Sequence, residues 1–246
     1  MPLFTDGTAS DVADLRAYDA AIAEIAAAEG VELKAKLDLA MAEIGLEIEE
    51  FLERCGSGAA DLSQVVITPA LKQWHILHTL SLVYGDIHNS HVSRRFEQKW
   101  QDYKARSRWA AETLFRVGVG LVWTPIPKAD PPELRPAAGI LAPGTYVVRA
   151  AWVSLNGEEG AASEAAICVL SNPGAIAVRL PNAPATAAGY HVYAGNSGIQ
   201  VFRQTAAPVP VNQEWIVSSV PDSGAKPPTG QQPHRYVRHE RILQRG

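Results

Sequence analysis

The sequence predicts a mixed α+β chain of two parts, an N-terminal bundle of about four helices and a C-terminal all-β sandwich. Three observations carry this. Apolar residues recur near every 3.6 positions up to about residue 122, and every second position after Gly144. Between these regimes lies WTPIPKADPPELRPAAG, residues 123–139, whose five prolines disfavour helix and remove ladder donors. With 47% hydrophobic residues the chain can fill a core in each half, so neither disorder nor a disulfide scaffold is called for. The expected organisation is a helical domain over 1–122, an extended linker over 123–139, a sandwich over 140–226 and an extended basic tail over 227–246.

The first helix is expected from Ser10 to Ala28. Thr8 or Ser10 serves as its cap, Asp11 and Asp14 lie at the positive end of its dipole, and Val12, Leu15, Ile22 and Ile25 fall at helical spacing. After Gly30 a second helix places Leu33, Leu37, Met41, Ile44, Ile48 and Phe51 on one stripe, and Gly56 and Gly58 end it. Thr68 and Pro69 open a third helix, with proline at the first position, where its missing N–H costs nothing. That helix is expected to stop at Gly85. A fourth starts near Asn89 or Ser90, turns Phe96, Trp100, Tyr103, Ala110 and Leu114 inward, and ends at Gly118 and Gly120. Four such stripes can be buried only against one another.

In the second half, strand-like runs are expected at Thr145–Leu155, Ala165–Leu170, Ala175–Leu180, Tyr190–Ala194, Ile199–Thr205 and Trp215–Val220. Turn clusters such as Asn156-Gly157 and Asn172-Pro173-Gly174 separate them. Short strands with turns every 8–12 residues read as a sandwich of immunoglobulin or fibronectin type III size, although no Cys–Trp–Cys arrangement marks a true immunoglobulin domain.

Charge is distributed unevenly around a net of −4. Residues 1–56 hold 13 acidic and 4 basic residues, whereas 57–128 hold 5 and 9, and 234–246 hold 1 and 4. An acidic block followed by a basic one suits head-to-tail contact between copies, attraction within one copy, or merely two solvated faces. The basic helix carries Arg94, Arg95, Lys99, Lys104, Arg106 and Arg108. In the tail Arg235, Arg238, Arg241 and Arg245 alternate with Tyr236, Val237, Ile242 and Leu243, a strip suited to being held by a partner.

No apolar run approaches the roughly 18 residues that cross a membrane, and MPLFTDGTASDVADL lacks the basic and apolar regions of a secretory signal. Cys55 and Cys168 fall in different halves, which favours a reducing compartment over a disulfide. His75 and His78, and His88 with His91, stand three apart, a spacing that admits a zinc site, but no carboxylate or cysteine completes a known pattern and packing and surface roles account for them. No nucleophile elbow, phosphate loop or paired cysteine and histidine is found, so no catalytic residue, cofactor or metal is assigned and the chain does not read as an enzyme. A metal hydrolase using the paired histidines is the corresponding rival.

The order of an acidic helix pair, a loop, ITPALKQWHILHTLSLVYGDIHN and RRFEQKWQDYKARSRWAAETLFRVGVGLVWTPIPKADPPELRP resembles the head–tail adaptor (connector) proteins of tailed bacteriophages over about residues 10–135. The resemblance implies a structural virion protein at the head–tail junction, made in the host cytoplasm. It implies a ring, usually of twelve copies, beneath the portal protein, extending the DNA channel and docking tail, nozzle or stopper proteins. The charge asymmetry fits neighbours that meet through two different faces. By analogy, the terminal strip (Arg235, Tyr236, Arg238, Arg241, Ile242, Leu243, Arg245) is the candidate portal anchor. The basic helix is the candidate for ring contacts or non-specific contact with packaged DNA. The alternative is a surface-binding module of tail-fibre or decoration type on a helical oligomerisation domain, which exposed aromatics such as Trp152, Tyr190 and Tyr193 would favour.

Overall fold

Apolar residues on every side of one helix organise the first half. The computed structural model describes residues 4–58, 61–91, 96–196, 198, 200–221 and 223–238, the side chains of 90 and 91 excepted. The fold is mixed α+β, helical in the first half and antiparallel β in the second. Contacts divide the chain into two units, both discontinuous in sequence. One comprises 1–4, 8–122 and 233–246, the other 5–7 and 123–232.

The helical unit contains α1 (Val12–Tyr18), α2 (Ile22–Ala28), α3 (Leu33–Arg54), α4 (Pro69–His91) and α5 (Glu97–Val117). Thr68 caps α4, its hydroxyl accepting from the Leu71 amide at 3.3 Å. Pro69, Asp86 and Asn89 are the exposed residues of α4 among those described, and α1, α3 and α5 all pack against it. Leu71, Trp74, Leu77, Leu80, Val83, Tyr84 and Ile87 of α4 thus share a core with Ile44, Ile48 and Phe51 of α3 and with Tyr103 and Leu114 of α5.

Three expectations about helix limits are corrected. The first helix is two, because Asp19 leaves the helical conformation (φ −141°, ψ 98°) and turns its carboxylate to the core. The cap of α1 is Asp11, which forms a capping box with Asp14, while Ser10 bonds a core histidine. Gly85 does not end α4. A Cβ there would lie 2.8 Å from the Trp100 indole nitrogen, so the glycine admits a close crossing by α5 and the helix continues to His91.

After α5 the chain forms β1 (Val119–Leu121), which pairs antiparallel with the last described strand, β10 (Arg235–Val237), in the register Val119↔Val237. The Val66 amide donates to the Gly120 carbonyl, and the His234 amide to that of Leu121. Val237 joins the helical core. Within the expected tail, Arg235–Val237 is therefore a strand held by the chain's own β1.

The β unit holds β2 (Glu133–Leu141), β3 (Gly144–Ser154), β4 (Ala166–Leu170), β5 (Gly174–Arg179), β6 (Ala187–Gly195), β7 (Phe202–Arg203), β8 (Val209–Pro210) and β9 (Trp215–Val217). One sheet runs β4-β3-β6-β7 with β8 also on β6, and the other runs β2-β5-β9. Between them lies a core that includes Val148, Trp152, Ile176, Val178, Tyr190, Val192 and Val217. Strand β3 is buried on both faces, since Val147 and Ala151 meet Tyr193, Ala162 and Val201 on its other side. This accounts for the nearly unbroken apolar run TYVVRAAWVSL.

The proline-rich stretch belongs to this unit and is not a linker throughout. Its second half is β2, an edge strand, where Pro136 opposes Ile176 and the ladder tolerates a missing donor. Ile126 and Ala129 are buried, and buried Gln231 accepts from the Ile126 amide at 2.9 Å. The Gln231 amide donates in turn to the Asp6 carboxylate at 2.8 Å, which ties residues 5–7 to the same unit.

Gly118 joins α5 to β1 at φ 114°, ψ 147°, and a Cβ there would meet the Val237 carbonyl oxygen at 3.0 Å. Gly118→Ala is expected to lower unfolding free energy by about 1–3 kcal/mol. Amide exchange at Tyr236 and Val237 should accelerate more than exchange in the middle of α4, as hydrogen-exchange mass spectrometry can report.

Candidate interaction surfaces

The predicted basic helix divides into residues that serve the fold and residues that face solvent. Lys99 serves the fold. Its ammonium lies 2.8 Å from the Asp19 carboxylate, which also accepts from the Tyr84 hydroxyl at 2.6 Å and faces that of Tyr103 at 3.4 Å. The Tyr84 and Tyr103 rings stack at 5.5 Å, and Lys99 sits over the first of them. Burial pushes the Asp19 pKa up, but the hydrogen bonds from Lys99 and Tyr84 outweigh it and hold the carboxyl below its ordinary range. The Tyr103 hydroxyl is pushed up to about 12, first by burial and then by Asp19. This cluster locks the α1–α2 break onto α4 and α5. Sequence reasoning missed it, because Asp19 looked like one more acidic residue on a helix surface.

Lys104, Arg106 and Arg108 are exposed. Lys104 lies 5.3 Å from the Trp100 ring, and Arg106 is over Tyr103 at 5.5 Å and within 3.8 Å of Asp102. Arg108 and Lys104 border an open groove of about 620 Å³ between α3, α4 and α5, with Trp74, His78, Trp100 and Glu47 also lining it. Arg94 and Arg95 lie outside the described residues.

In the tail, Arg235 is half-buried, Tyr236 is 52% exposed, Val237 is buried and Arg238 is exposed. Arg241, Ile242, Leu243 and Arg245 lie outside the described residues. The structure thus brings the first part of the predicted strip onto β1, next to the C-terminal end of α5, where Gly118 lies against Tyr236 and Val237.

The histidines have assigned partners. Buried His75 faces the Ser10 hydroxyl through Nδ1 at 2.7 Å and the Leu37 carbonyl through Nε2 at 3.0 Å. The carbonyl can only accept, so Nε2 carries the proton and Ser10 donates to Nδ1. His78 lies 2.7 Å from the Glu43 carboxylate and 3.2 Å from the Ser107 hydroxyl, linking α3, α4 and α5. The order serine, imidazole, carboxylate is that of a hydrolytic relay. Ser107 stands inside α5, however, where the helix ladder takes up backbone amides, so no oxyanion hole of backbone donors accompanies it. The trio reads as a polar brace. His88 stacks on Trp100 at 5.1 Å, at the end of α4 rather than the start of the next helix, and the His91 side chain lies outside the described residues. Among the described residues no three metal-ligating groups converge, and no helix is long and apolar enough to cross a membrane.

Exposed apolar residues mark surfaces that the sequence reading did not single out. Leu39 and Leu46 lie on the outer side of α3, 43% and 67% exposed, and Trp109 on the outer side of α5, 52% exposed. The signal was present: Leu39 and Leu46 stand seven apart and both fall off the core stripe of α3.

His75 supplies a pH test. Burial first, then the neighbouring His78, lowers its pKa below the ordinary value, with Leu37, Asp14 and Asp38 opposing. A neutral buried imidazole stabilises the fold fully above the unfolded pKa of about 6.5, and this stability is lost as pH falls below that value toward the lowered folded pKa. The urea midpoint of the helical circular-dichroism signal should fall between about pH 7 and about pH 5, and His75→Gln should flatten that slope whatever its effect on stability at neutral pH. The chain matches no family model, no curated protein and no solved structure.

Proposed function

We propose that this chain is a structural virion protein, a head–tail connector that assembles as a ring beneath a portal, extends the DNA channel and docks tail components. The observation that carries the reading is the delivery of the basic C-terminal strip from a fixed place. Strand β10 is held in register on β1 and Val237 is buried in the helical core, so the described part of the strip, Arg235 to Arg238, has a fixed place on the helical unit. Prior fixing of these residues lowers the ordering cost of a strip that must bind a partner. Tyr236 and Arg238 are exposed there and supply the described part of the contact. Lys104 and Arg108 are the basic-helix residues available for ring or DNA contacts.

The β unit is read as an immunoglobulin-type sandwich. Supporting this, β4-β3-β6-β7 follows the C′-C-F-G strand order, and β3, in the place of strand C, carries buried Trp152. The Tyr190 hydroxyl, near the start of the F-like strand, donates to the Gln213 carbonyl at 2.6 Å and lies 3.1 Å from the upstream Val178 carbonyl, the kind of acceptor a tyrosine corner uses. Strand β9 joins the edge of the opposite sheet beside β5.

The alternative of a surface-binding module loses the feature offered for it, since Trp152, Tyr190 and Tyr193 are all buried. It keeps one observation, the exposed Ile167 and Val169 on edge strand β4.

A truncation series tests the anchor. Removing 239–246 spares β10 and should leave the unfolding midpoint unchanged, while capture by the candidate portal in a pull-down is lost. Removing 234–246 should also cost stability, about 1–3 kcal/mol, because Val237 leaves the core. Undiminished portal capture by the shorter truncation would overturn the anchor.

A further inference from the structure

Two outward helix faces of the helical unit have apolar residues at coiled-coil spacing and, among the described residues, nothing packed on them. On α3, Ala35, Leu39, Ala42 and Leu46 follow one another at alternating steps of four and three, all exposed, and Glu49 and Glu53 continue the stripe. On α5, Asp102, Ala105, Trp109, Glu112 and Arg116 do the same, with Ala105 and Trp109 at the centre. Core burial does not explain a Leu at 67% exposure and a Trp at 52% at these positions, because the inward stripes of both helices are already complete.

The charges flanking the two stripes are opposite. The exposed cations of α3, Lys34 and Arg54, are taken up by Asp38 and Glu50 at i,i+4. This leaves Glu49 and Glu53, on the stripe itself, with no ion pair among the described residues, at the C-terminal end of α3. On α5, Lys99 is spent on Asp19, Arg106 lies beside Asp102, and Lys104 faces the groove that Glu47 also lines, which leaves Arg116 and, at the rim of that groove, Arg108 exposed and without an ion pair among the described residues. The two faces lie on different helices, each turned away from the core they share around α4.

We infer that copies of this chain join through these two faces, the outer stripe of α3 on one copy against the outer stripe of α5 on the next. The inference deepens the ring reading above and rests on it for its setting. Leu39 and Leu46 cover Trp109 and Ala105, and the carboxylates of α3 meet the cations of α5. A contact between two different surfaces is heterologous: each copy keeps one of each kind free for a further neighbour, so the contact closes into a ring or grows as a filament and does not stop at two. Parallel pairing of α3 with α3 sets its unpaired carboxylates against each other, and parallel pairing of α5 with α5 its cations, whereas the mixed pair sets unlike charges together; an antiparallel α3 pair is distinguished by the test below.

Charge reversal on one face at a time tests this with the full-length chain, using sedimentation velocity at low salt with and without the candidate portal. Glu49→Lys with Glu53→Lys reverses α3; Arg108→Glu with Arg116→Glu reverses α5. All four side chains are exposed, so circular dichroism and the unfolding midpoint should match the wild type. Each variant alone should need about tenfold more protein to assemble, and an equimolar mixture should recover assembly, because the basic α3 of one variant then meets the acidic α5 of the other. Wild-type behaviour of both variants overturns the inference, as does a defect of the α3 variant alone, which means a two-fold α3 contact. Rings on the portal that ignore both reversals overturn these faces and leave the connector reading standing. Charge-sensitive assembly that never engages the portal does the reverse. A wild-type chain that assembles under neither condition overturns both.

Discussion

The helical unit depends on the enclosure of α4 by three other helices. A helix with apolar residues around most of its circumference leaves water little polar surface to cover, and it is stable only when other helices enclose it. Leu71, Trp74, Leu77, Val83, Tyr84 and Ile87 take up that requirement, and α1, α3 and α5 supply the enclosure. The details of the surrounding helices follow from it. Gly85 lets the Trp100 ring approach α4, and Asp19 breaks α1 from α2 so that its carboxylate reaches Tyr84 on α4 and Lys99 on α5. His75 and His78 lie on the same helix and bind it to Leu37, Ser10, Glu43 and Ser107. Each of these is a polar group brought to a crowded apolar helix with a partner already provided, as burial of polar atoms demands.

The segments after α5 are fixed by the same need to pair backbone groups. A three-residue strand after α5 cannot satisfy its own backbone, and β10 closes it on one side while the Val66 amide reaches the Gly120 carbonyl. In the β unit Gln231 does comparable service, with its side chain accepting from Ile126 and its Nε2 donating to the Thr124 carbonyl. Segments distant in sequence thus complete each unit, which is why neither unit is a single stretch of chain.

What could be read from the sequence was whatever local chemistry decides. The Thr68-Pro69 start and the core stripe of α3 are properties of neighbouring residues, and the structure carries both; the change of period at Gly144 is not clean, since β1 and β2 precede it and β3 is buried on both faces. Where an element's limit is set by a distant partner, local reading failed. Gly85 looks like a stop until Trp100 is seen to need the space. Asp11, Asp14 and Asp19 are equivalent by type, yet only the last is drawn inward, because Lys99 waits eighty residues on. Pro136 argues against a strand unless that strand is an edge, and edge position is a property of the sheet. The candidate surfaces divide in the same way. The composition of the tail and of α5 marks them as basic, but which cations remain for a partner depends on Asp19, Asp102 and Trp100, none of which composition can assign.

That last distinction governs how charge should be used in reading such a chain. Counting residues gives α5 a strongly basic character, and the simplest inference is an electrostatic platform for nucleic acid. The structure removes Lys99 from that platform, sets Arg106 against Tyr103 and Asp102, and leaves Lys104, Arg108 and Arg116. Three exposed cations interspersed with Asp102 and Glu112 make a weak trap for a polyanion, whose binding scales with the number of phosphates neutralised. They make a better match for a few carboxylates at fixed spacing beside an apolar stripe, where charge sets the register and Leu or Trp supplies the burial. The uneven charge of the sequence is therefore better explained as an instruction for which face meets which than as attraction to DNA.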